Sequence, residues 1–319
     1  MNLSLTIIIP VFNEEGNLQV LFERLEKIRE KLNSEKKILT NYIFVNDGSK
    51  DNSLNILEDL ASNFSHLKII SFSRNFGHQH AISAGMQFSN SNFIVIIDSD
   101  LQDPPELIPE MIELSTSGDY EVIYAQRKLR KGETFFKKLT AKIFYKIFNI
   151  LCGIKIPADV GDFRLITKKV LVEFKKCKEK HKFIRGLIPW LGFKSTPILY
   201  ERNERNTGKT NYSLSKMIKF ALDGILSFSS TPITYITRFG IFFVLVSLLY
   251  ASYILYQRFF LNNLVPGFAA ILIFTIFFGG FNLFFLGIIG QYIARIFEQT
   301  KNRPEYIIEN MINFDEENK

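Results

Sequence analysis

The stretch Phe93-Ile94-Val95-Ile96-Ile97-Asp98-Ser99-Asp100 is an apolar run that ends abruptly in two aspartates. Its β-branched and aromatic residues predict a strand that is buried on both faces. Carboxylates seldom adjoin such a run unless they are solvated or paired, and α/β proteins bind ligands at the carboxyl edge of their parallel strands. Asp98 and Asp100 would point to opposite faces of a regular strand, so the chain must bend if both face one ligand.

The residues that follow, Leu101-Gln102-Asp103-Pro104-Pro105-Glu106, favour such a bend. Neither proline can donate to a sheet ladder, so the chain is expected to leave the strand here. Oxygen ligands at a strand end suit Mg²⁺ or Mn²⁺ holding a diphosphate. A polar turn with an aspartate helix cap is the alternative interpretation of the same residues.

Composition divides the chain of 319 residues into two parts. Hydrophobic residues make up 47% of it, with 32 phenylalanines, and most of the excess lies after Ser229. The formal net charge of +7 is compatible with a partner that is nucleic acid, a membrane surface or an anionic substrate. Because the final third of the chain is apolar, anionic lipid is the simplest of these partners, and no nucleic acid partner is expected. Cys152 and Cys177 show neither metal spacing nor a disulfide framework. The short apolar run Leu5 to Ile9, followed at once by polar residues, is not expected to be a signal peptide.

Short strand patterns alternate with helical patterns over the first 124 residues. The predicted strands are Leu5 to Ile9, Tyr42 to Val45, Leu67 to Phe72, Phe93 to Ile97 and Glu121 to Tyr124. The predicted helices are Asn17 to Leu32, Ser53 to Phe64, Ala81 to Phe88 and Glu106 to Leu114. This order predicts an α/β fold with a mostly parallel sheet and helices on both faces.

Polar motifs follow four of these strands, at the ends that a parallel sheet gathers on one edge. They are Pro10-Val11-Phe12-Asn13-Glu14-Glu15, Asn46-Asp47-Gly48-Ser49, Ser73-Arg74-Asn75-Phe76-Gly77 and the acidic stretch at Asp98. Each motif alone could be only a turn or a helix start. Their convergence predicts a site at that edge.

These four motifs together resemble the successive motifs of family 2 glycosyltransferases, and more narrowly of the polyprenyl-phosphate sugar transferases that include dolichol-phosphate mannose synthases and undecaprenyl-phosphate glucosyltransferases. The resemblance covers nearly the whole chain and implies a Rossmann-like GT-A fold. One departure is Asn46, where the family motif usually opens with Asp; this puts a base or ribose contact from Asn46 in doubt and leaves Asp47 in place.

The resemblance also implies roles for individual residues. The donor-binding set is Pro10, Asn13, Glu14, Asp47, Arg74, Asp98 and Arg127. The metal ligands, for Mg²⁺ or Mn²⁺, are Asp98, Asp100 and Gln102. The catalytic set is Asp100, Asp162 and Arg164. The contacts to the acceptor phosphate are Arg205, Lys209 and Tyr212.

The segment Asp159-Val160-Gly161-Asp162-Phe163-Arg164-Leu165 carries two carboxylates and an arginine around a glycine. Such a set suits the orientation of a phosphate or sugar, although a buried ion pair would look identical in sequence. A phosphate monoester is largely a dianion at neutral pH, since its second pKa is about 6. A lipid phosphate acceptor therefore needs little help from a base, and Asp162 is interpreted as an orienting residue or a weak base. Arg185 is a further candidate phosphate contact, whereas His66, His78 and His80 are interpreted as surface or structural residues.

The later part of the chain has membrane patterns. Residues 133–151 and 213–231 each place lysines beside an apolar stripe, as a helix in the membrane surface does, and an ordinary core-packing helix is the alternative for 133–151. Ile233 to Tyr256 and Gly267 to Ile289 are long enough to cross a bilayer. Basic residues flank the outer ends of both spans, which by the positive-inside rule favours a cytoplasmic catalytic domain and termini in a multi-pass protein of the bacterial inner membrane. The predicted division is a GT-A domain at 1–212, a juxtamembrane helix at 213–231, a transmembrane hairpin at 232–294 and a tail at 295–319.

The resulting hypothesis is inverting transfer of a sugar from a nucleoside diphosphate sugar, in particular a UDP-sugar, to a polyprenyl phosphate such as undecaprenyl phosphate. Similar proteins imply a homo-oligomer, specifically a tetramer. Two alternatives stay open: transfer to another membrane lipid such as diacylglycerol, and a non-catalytic membrane protein that binds nucleotide sugars. Removal of the chain after Thr231 is expected to leave donor binding intact and to impair transfer to long-chain acceptors.

Overall fold

The computed structural model describes residues 3–128, 160–180, 182–201, 229, 231–260 and 267–314. The strands are β1 Ser4–Val11, β2 Leu39–Asn46, β3 Leu67–Phe72, β4 Phe93–Ile96, β5 Val122–Arg127, β6 Val160–Thr167, β7 Ser195–Tyr200 and β8 Ile308–Ile312. The helices are α1 Leu18–Lys36, α2 Ser53–Asn63, α3 His78–Gln87, α4 Ile108–Gly118, α5 Lys168–Lys176, α6 Ile184–Trp190, α7 Thr231–Phe260 and α8 Phe268–Thr300, with a short 3₁₀ helix at Pro105–Leu107. The predicted segments 133–151 and 213–228 lie outside the described residues.

A single eight-stranded sheet has the order β7-β5-β6-β4-β1-β2-β3-β8. Strands β1 to β5 and β7 run in one direction, while β6 and β8 are antiparallel to their neighbours. The predicted α/β class with a mostly parallel sheet is confirmed, and each predicted strand and helix of the first 124 residues is present with ends shifted by a few positions.

Both faces of the central strands are buried, as their continuous apolar runs predict. On β2, Tyr42 and Phe44 pack with α1 and α2 on one face, while Ile43 and Val45 pack with α3 on the other. The apolar residues that recur at helical spacing along α1 are all buried: Leu18, Leu21, Phe22, Leu25 and Ile28. Because neither face admits a solvated charge, polar function is confined to the strand ends.

The direction of chain progression reverses at β1. From β1 the chain proceeds outward through β2 and β3, and it then returns to place β4 on the other side of β1. The loops that follow β1 and β4 therefore diverge, and a crevice opens between them at the carboxyl edge of the sheet.

Residues 303–314 differ from the predicted tail. Ile308–Ile312 forms β8, which pairs with β3, and the ring of Tyr306 stacks on Phe72 with centroids 4.9 Å apart. Lys182 Nζ lies 3.0 Å from a carboxylate oxygen of Glu305. The alternating apolar and polar side chains of β8 suit a strand at the half-covered edge of a sheet. The pattern is too short to be recognised in the sequence after two long apolar helices. A truncation after Thr231 thus removes a strand of the sheet, so donor binding by that fragment is not a clean test of the membrane part.

A separate compact unit contains α7 and α8. Residues Thr231–Gln257 and Phe274–Thr300 are long and apolar enough to cross a membrane, with mean hydropathies of 2.0 and 1.6. These helices include both spans predicted from sequence and extend α8 to Thr300, beyond the predicted end at Ile289.

Asn313, just after β8, tests the contribution of this segment to stability. Its Nδ2 donates to the carbonyl oxygens of Ala61 at 2.9 Å and Leu67 at 2.8 Å. Asn313→Asp removes the donor and faces these carbonyls with a carboxylate, and we expect it to lower the free energy of unfolding by about 1–3 kcal/mol. The measurement is the thermal midpoint of the detergent-solubilised protein.

Asn310→Asp on the same strand is the matched control. The Asn310 Oδ1 atom accepts from the Met311 N–H at 2.8 Å, and a carboxylate keeps that acceptor. Equal midpoints for the Asn313 variant and the wild type would contradict the role given to Asn313.

Candidate functional site

A cavity of about 280 Å³ opens at the crevice between β1 and β4. Its lining comes from the ends of four neighbouring strands: Pro10, Val11, Phe12 and Glu14 after β1, Asp47 after β2, Asn75, Gly77, His78 and Ala81 after β3, and Asp98, Ser99 and Asp100 after β4. The four polar motifs identified in the sequence therefore meet at one edge of the sheet.

The acidic loop after β4 bends so that Asp98 and Asp100 both line this cavity. Leu101 adopts a left-handed conformation with φ of 60°, a region that a leucine seldom occupies. The Ser99 hydroxyl donates to the Pro10 carbonyl at 3.0 Å, and the Gln102 N–H donates to Asp100 Oδ1 at 3.1 Å. The backbone of Gln102 thus supports Asp100, whereas its side chain does not line the cavity.

Asp47 connects two of the loops. Its carboxylate is 2% exposed and accepts the N–H groups of Phe76 at 2.7 Å and Gly77 at 2.9 Å. Burial raises the pKa of Asp47, and the two N–H donors oppose that shift. Its described contacts hold the loop after β3 against the loop after β2.

Asn46 and Asn13 are also occupied in holding loops together. Asn46 Nδ2 donates to Ser71 Oγ at 3.0 Å and Asn46 Oδ1 accepts from the Ser49 N–H at 3.1 Å. Asn13, with φ of 56°, accepts the Lys50 N–H on Oδ1 at 2.8 Å. An asparagine can both donate and accept, and Asn46 uses both capacities to join β3 and the loop after β2.

Asp162 is the buried centre of an ionic cluster whose other side chains, those of His78 and Arg185, are partly exposed. Its carboxylate is 1% exposed and receives both Arg185 Nε at 2.8 Å and Arg185 Nη2 at 2.7 Å, and His78 Nε2 lies 3.1 Å from Oδ2. Burial alone would raise the pKa of Asp162, but Arg185 and His78 outweigh it and hold the pKa well below its usual range. A carboxylate this acidic and this fully bonded is poorly suited to accept a proton.

His78 joins this cluster to the acidic loop. Its Nε2 atom is 3.4 Å from Asp98 Oδ1 as well as 3.1 Å from Asp162. Burial lowers the pKa of His78, but the hydrogen bond to Asp162 and the charge of Asp98 prevail and raise it to about 9. Burial raises the pKa of Asp98 to about 6, partly offset by His78. His78 is thus held as a cation between two carboxylates.

Arg164 supports the same cluster from β6. It is 3% exposed, and its guanidinium donates to the carbonyl oxygens of Asp162 at 3.2 Å and Gly161 at 2.8 Å. Burial lowers the pKa of Arg164 to about 10. These bonds hold the first residues of β6 in place.

Ligand atoms of His78, Asp98 and Asp162 all lie within 4.8 Å of one another, which satisfies the spacing of a metal site. Asp162, however, is already neutralised by the two-pronged bond from Arg185. Asp98 Oδ1 is buried and accepts no hydrogen bond from the described residues, and Asp100 lines the same cavity. This oxygen pair suits a hard divalent cation better than the triad with a protonated imidazole does.

The remaining predicted residues are more dispersed. Arg74 lies over the ring of Phe76, 4.3 Å from its centroid, and Arg127 ends β5. Arg205, Lys209 and Tyr212 lie outside the described residues. His78 was interpreted from sequence as a surface or structural residue, but it lines the cavity. Arg185, a candidate phosphate contact, bonds to Asp162. The sequence signal that His78 belongs to the site is its position directly after the Ser73 to Gly77 motif, which follows a strand. The contact of Arg185 with Asp162 depends on the placement of α6, which the sequence does not give.

Comparisons with known proteins give the following likenesses. Residues 6–174 match the family model described as glycosyl transferase family 2. The chain is 46% identical over 304 residues to the uncharacterized glycosyltransferase YkcC of Bacillus subtilis (strain 168), covering 95% of this chain and 93% of the relative. It is 35% identical over 308 residues to the bactoprenol glucosyl transferase of Shigella phage SfV, covering 97% and 99% respectively. A crystal structure of S. aureus TarS 1–349 with UDP-GlcNAc shows 15% identity over 70% of this chain and 66% of that chain, with a TM-score of 0.47.

Gly48 tests the close packing of the loops at the cavity. It has φ of 66°, and a Cβ built there would lie 2.5 Å from the Arg74 carbonyl carbon and 2.6 Å from the Asn75 nitrogen. Gly48→Ala must displace that backbone, so we expect a loss of at least about 2 kcal/mol of stability together with weaker binding in the cavity. Thermal unfolding and UDP titration measure the two effects.

Gly16→Ala is the control, since a Cβ at Gly16 meets nothing within 4 Å. A Gly48 variant as stable as the Gly16 variant would show that the loops are not packed as described.

Proposed function

The chain belongs to glycosyl transferase family 2, and we propose that it transfers a sugar from a nucleoside diphosphate sugar, specifically a UDP-sugar, to a polyprenyl phosphate at the cytoplasmic face of a bacterial inner membrane. The observation that carries this proposal is the meeting of Asp98 and Asp100 in one cavity at the crevice between β1 and β4. A nucleotide in that crevice would present its diphosphate to these two carboxylates.

The leaving diphosphate requires charge neutralisation, for which we propose Mg²⁺ or Mn²⁺ held by Asp98 and Asp100. Such an ion supplies Lewis-acid stabilisation of the departing phosphates. His78, beside Asp98, adds a fixed positive charge at the same end of the cavity. Pro10, Glu14 and Asp47 line the part of the cavity assigned to the donor, and Asp47 also keeps the loop at Gly77 in place.

The proposed nucleophile is the acceptor's own phosphate oxygen. A phosphate monoester is largely dianionic at neutral pH, so an in-line attack on the anomeric carbon needs positioning more than it needs deprotonation. Attack from the side opposite the diphosphate inverts the anomeric configuration. The low pKa of Asp162 agrees with this, because Asp162 then serves as the counter-ion that orients Arg185 and His78.

The polyprenyl acceptor is supported by the likeness to bactoprenol glucosyl transferases over almost the full length of the chain, since bactoprenol is a polyprenol. Sheet topology supports the orientation. The chain leaves the sheet after β7 and re-enters it as β8, so two membrane crossings in between return it to the side from which it started. Lys216, Lys219 and Arg238 before the first span, and Arg295, Lys301 and Arg303 after the second, favour the cytoplasm for that side.

The function is tested by incubating the purified protein with undecaprenyl phosphate, Mn²⁺ and a panel of labelled nucleotide sugars. We expect one UDP-sugar to yield a lipid product that mild acid hydrolyses, as a sugar phosphodiester should, whereas an acid-stable glycolipid made from diacylglycerol would contradict the proposed acceptor.

Asp100→Asn is expected to lower transfer at least 100-fold, because a neutral amide is a weaker ligand for the ion.

Asp119→Asn is the control for Asp100. Asp119 caps α4 in a left-handed conformation that asparagine also tolerates, away from the cavity. Full activity of the Asp100 variant, or of the wild type in excess chelator, would contradict the metal proposal.

The orienting role of Asp162 predicts a specific pattern in a double-mutant cycle. Asp162→Asn and Arg185→Gln should each lower kcat/KM about 10- to 100-fold, and the double variant should lose little more, because all three remove the same charged hydrogen bonds. Arg29→Gln, which breaks a surface pair with Glu26, is the control. Additive losses in the double variant, or near-complete inactivity of Asp162→Asn beside an active Arg185→Gln, would instead indicate that Asp162 is the base.

A further inference from the structure

Asp103 occupies a different position from the other acidic residues of its loop. It is 1% exposed and is absent from the cavity lining, whereas Asp98 and Asp100 both line it. Its Oδ1 atom accepts a hydrogen bond from the hydroxyl of Tyr200, which is 4% exposed at the end of β7. A buried carboxylate with a buried phenolic donor is a strong and directional contact.

Arg127 completes this buried group. It is paired with Tyr200 across β5 and β7, and the Lys128 N–H donates to the Tyr200 carbonyl at 2.9 Å. A Cβ built at Gly161 would lie 3.8 Å from Arg127 Nη2 and 4.0 Å from Asp103 Oδ2, so both side chains converge on this glycine. Burial and the Asp103 carboxylate raise the pKa of Tyr200, while Arg127 lowers it. Tyr200 is therefore the proton donor in its bond to Asp103.

The acidic loop is thus fixed on both sides of Asp100. On one side the Ser99 hydroxyl is bonded to the Pro10 carbonyl of β1. On the other side Asp103 is bonded to Tyr200. Between them Leu101 holds a φ of 60°, which a leucine adopts only when its surroundings impose it. The two attachments lie on either side of the strained turn that brings Asp100 into the cavity.

We propose that Tyr200, with Arg127 beside it, is a positioning residue that acts through Asp103 to hold the acidic loop in its metal-binding shape. This inference rests on the proposed function. It adds that the affinity for the diphosphate-bound ion depends in part on the contact between Tyr200 and Asp103, which touches neither the ion nor the nucleotide. The edge pair β5 and β7 then determines the geometry of a loop that β4 supplies.

The test measures Mn²⁺ binding by calorimetry at saturating UDP, and UDP binding without metal, on full-length protein in detergent. Tyr200→Phe removes the hydroxyl and keeps the ring. We expect Mn²⁺ affinity to fall about 10-fold, as the loss of one hydrogen bond to a charged group implies, while metal-free UDP binding changes less than twofold. In the transfer assay, added Mn²⁺ should restore most of the lost rate, which a purely structural role would not allow.

Tyr124→Phe is the matched control, because it removes a hydroxyl from β5 three residues before Arg127. Asp103→Ala and the double variant Tyr200→Phe/Asp103→Ala complete a cycle in which the double variant should bind Mn²⁺ no more weakly than Asp103→Ala does. Where Asp103→Ala does not fold, the comparison of Tyr200→Phe with Tyr124→Phe decides the question.

The outcomes separate this inference from the proposed function. Unchanged Mn²⁺ affinity in Tyr200→Phe, or an equal loss in Tyr124→Phe, overturns the positioning role alone. A wild type that binds no Mn²⁺ with UDP overturns both the metal proposal and this inference. A wild type that binds Mn²⁺ and UDP but leaves undecaprenyl phosphate unmodified overturns only the acceptor, and the affinities still decide the role of Tyr200.

Discussion

The structure depends on the burial of its central strands on both faces. A carboxylate inside such a layer would lose its hydration without compensation, so the charged residues of β1 to β4 are confined to the ends of the strands. Reversal of the chain at β1 then sends the loops after β1 and β4 in opposite directions and opens a crevice between them. The site follows from two constraints, one of solvation and one of topology, before any particular ligand is considered.

Within the crevice, most side chains that resemble ligand contacts are engaged in holding loops. Asp47 binds the backbone after β3, Asn13 binds Lys50, and Ser99 binds the end of β1. These bonds explain how short loops can keep strained conformations such as that of Leu101. Asp98 and Asp100 line the same cavity and are the side chains that we propose to bind the cation. The residues that hold the loops and those that would bind the ion are thus neighbours in the same motifs.

Sequence was sufficient for the fold and for the edge of the sheet at which the site lies, because periodicity and turn chemistry are local. It was also sufficient to place Asp98 and Asp100 at that edge, where both line the cavity, whereas their role as metal ligands stays a prediction. It was not sufficient for Arg185 and Tyr200, whose contacts join residues 23 and 97 positions apart. Nor could the sequence distinguish an Asp162 that orients its neighbours from an Asp162 that acts as a base. That difference depends on the pKa of the buried carboxylate, which the surrounding cations set. Strand β8 was missed because a short edge strand after two long apolar helices carries a weak pattern.

Strand β8 belongs to the sheet although it follows the two apolar helices in the sequence. Its pairing with β3 places the end of the polypeptide beside the strand that leads to Gly77 and His78, since the Ser73 N–H donates to the Ile307 carbonyl at 3.1 Å. The sheet is therefore completed only after α7 and α8 have been made, and the loop that carries His78 is supported by residues that follow both apolar helices. The segment with α7 and α8 lies in the sequence between β7 and β8, so a truncation that removes it also removes a strand of the sheet. The strand that follows the two apolar helices thus also supports the loop that leads into the cavity.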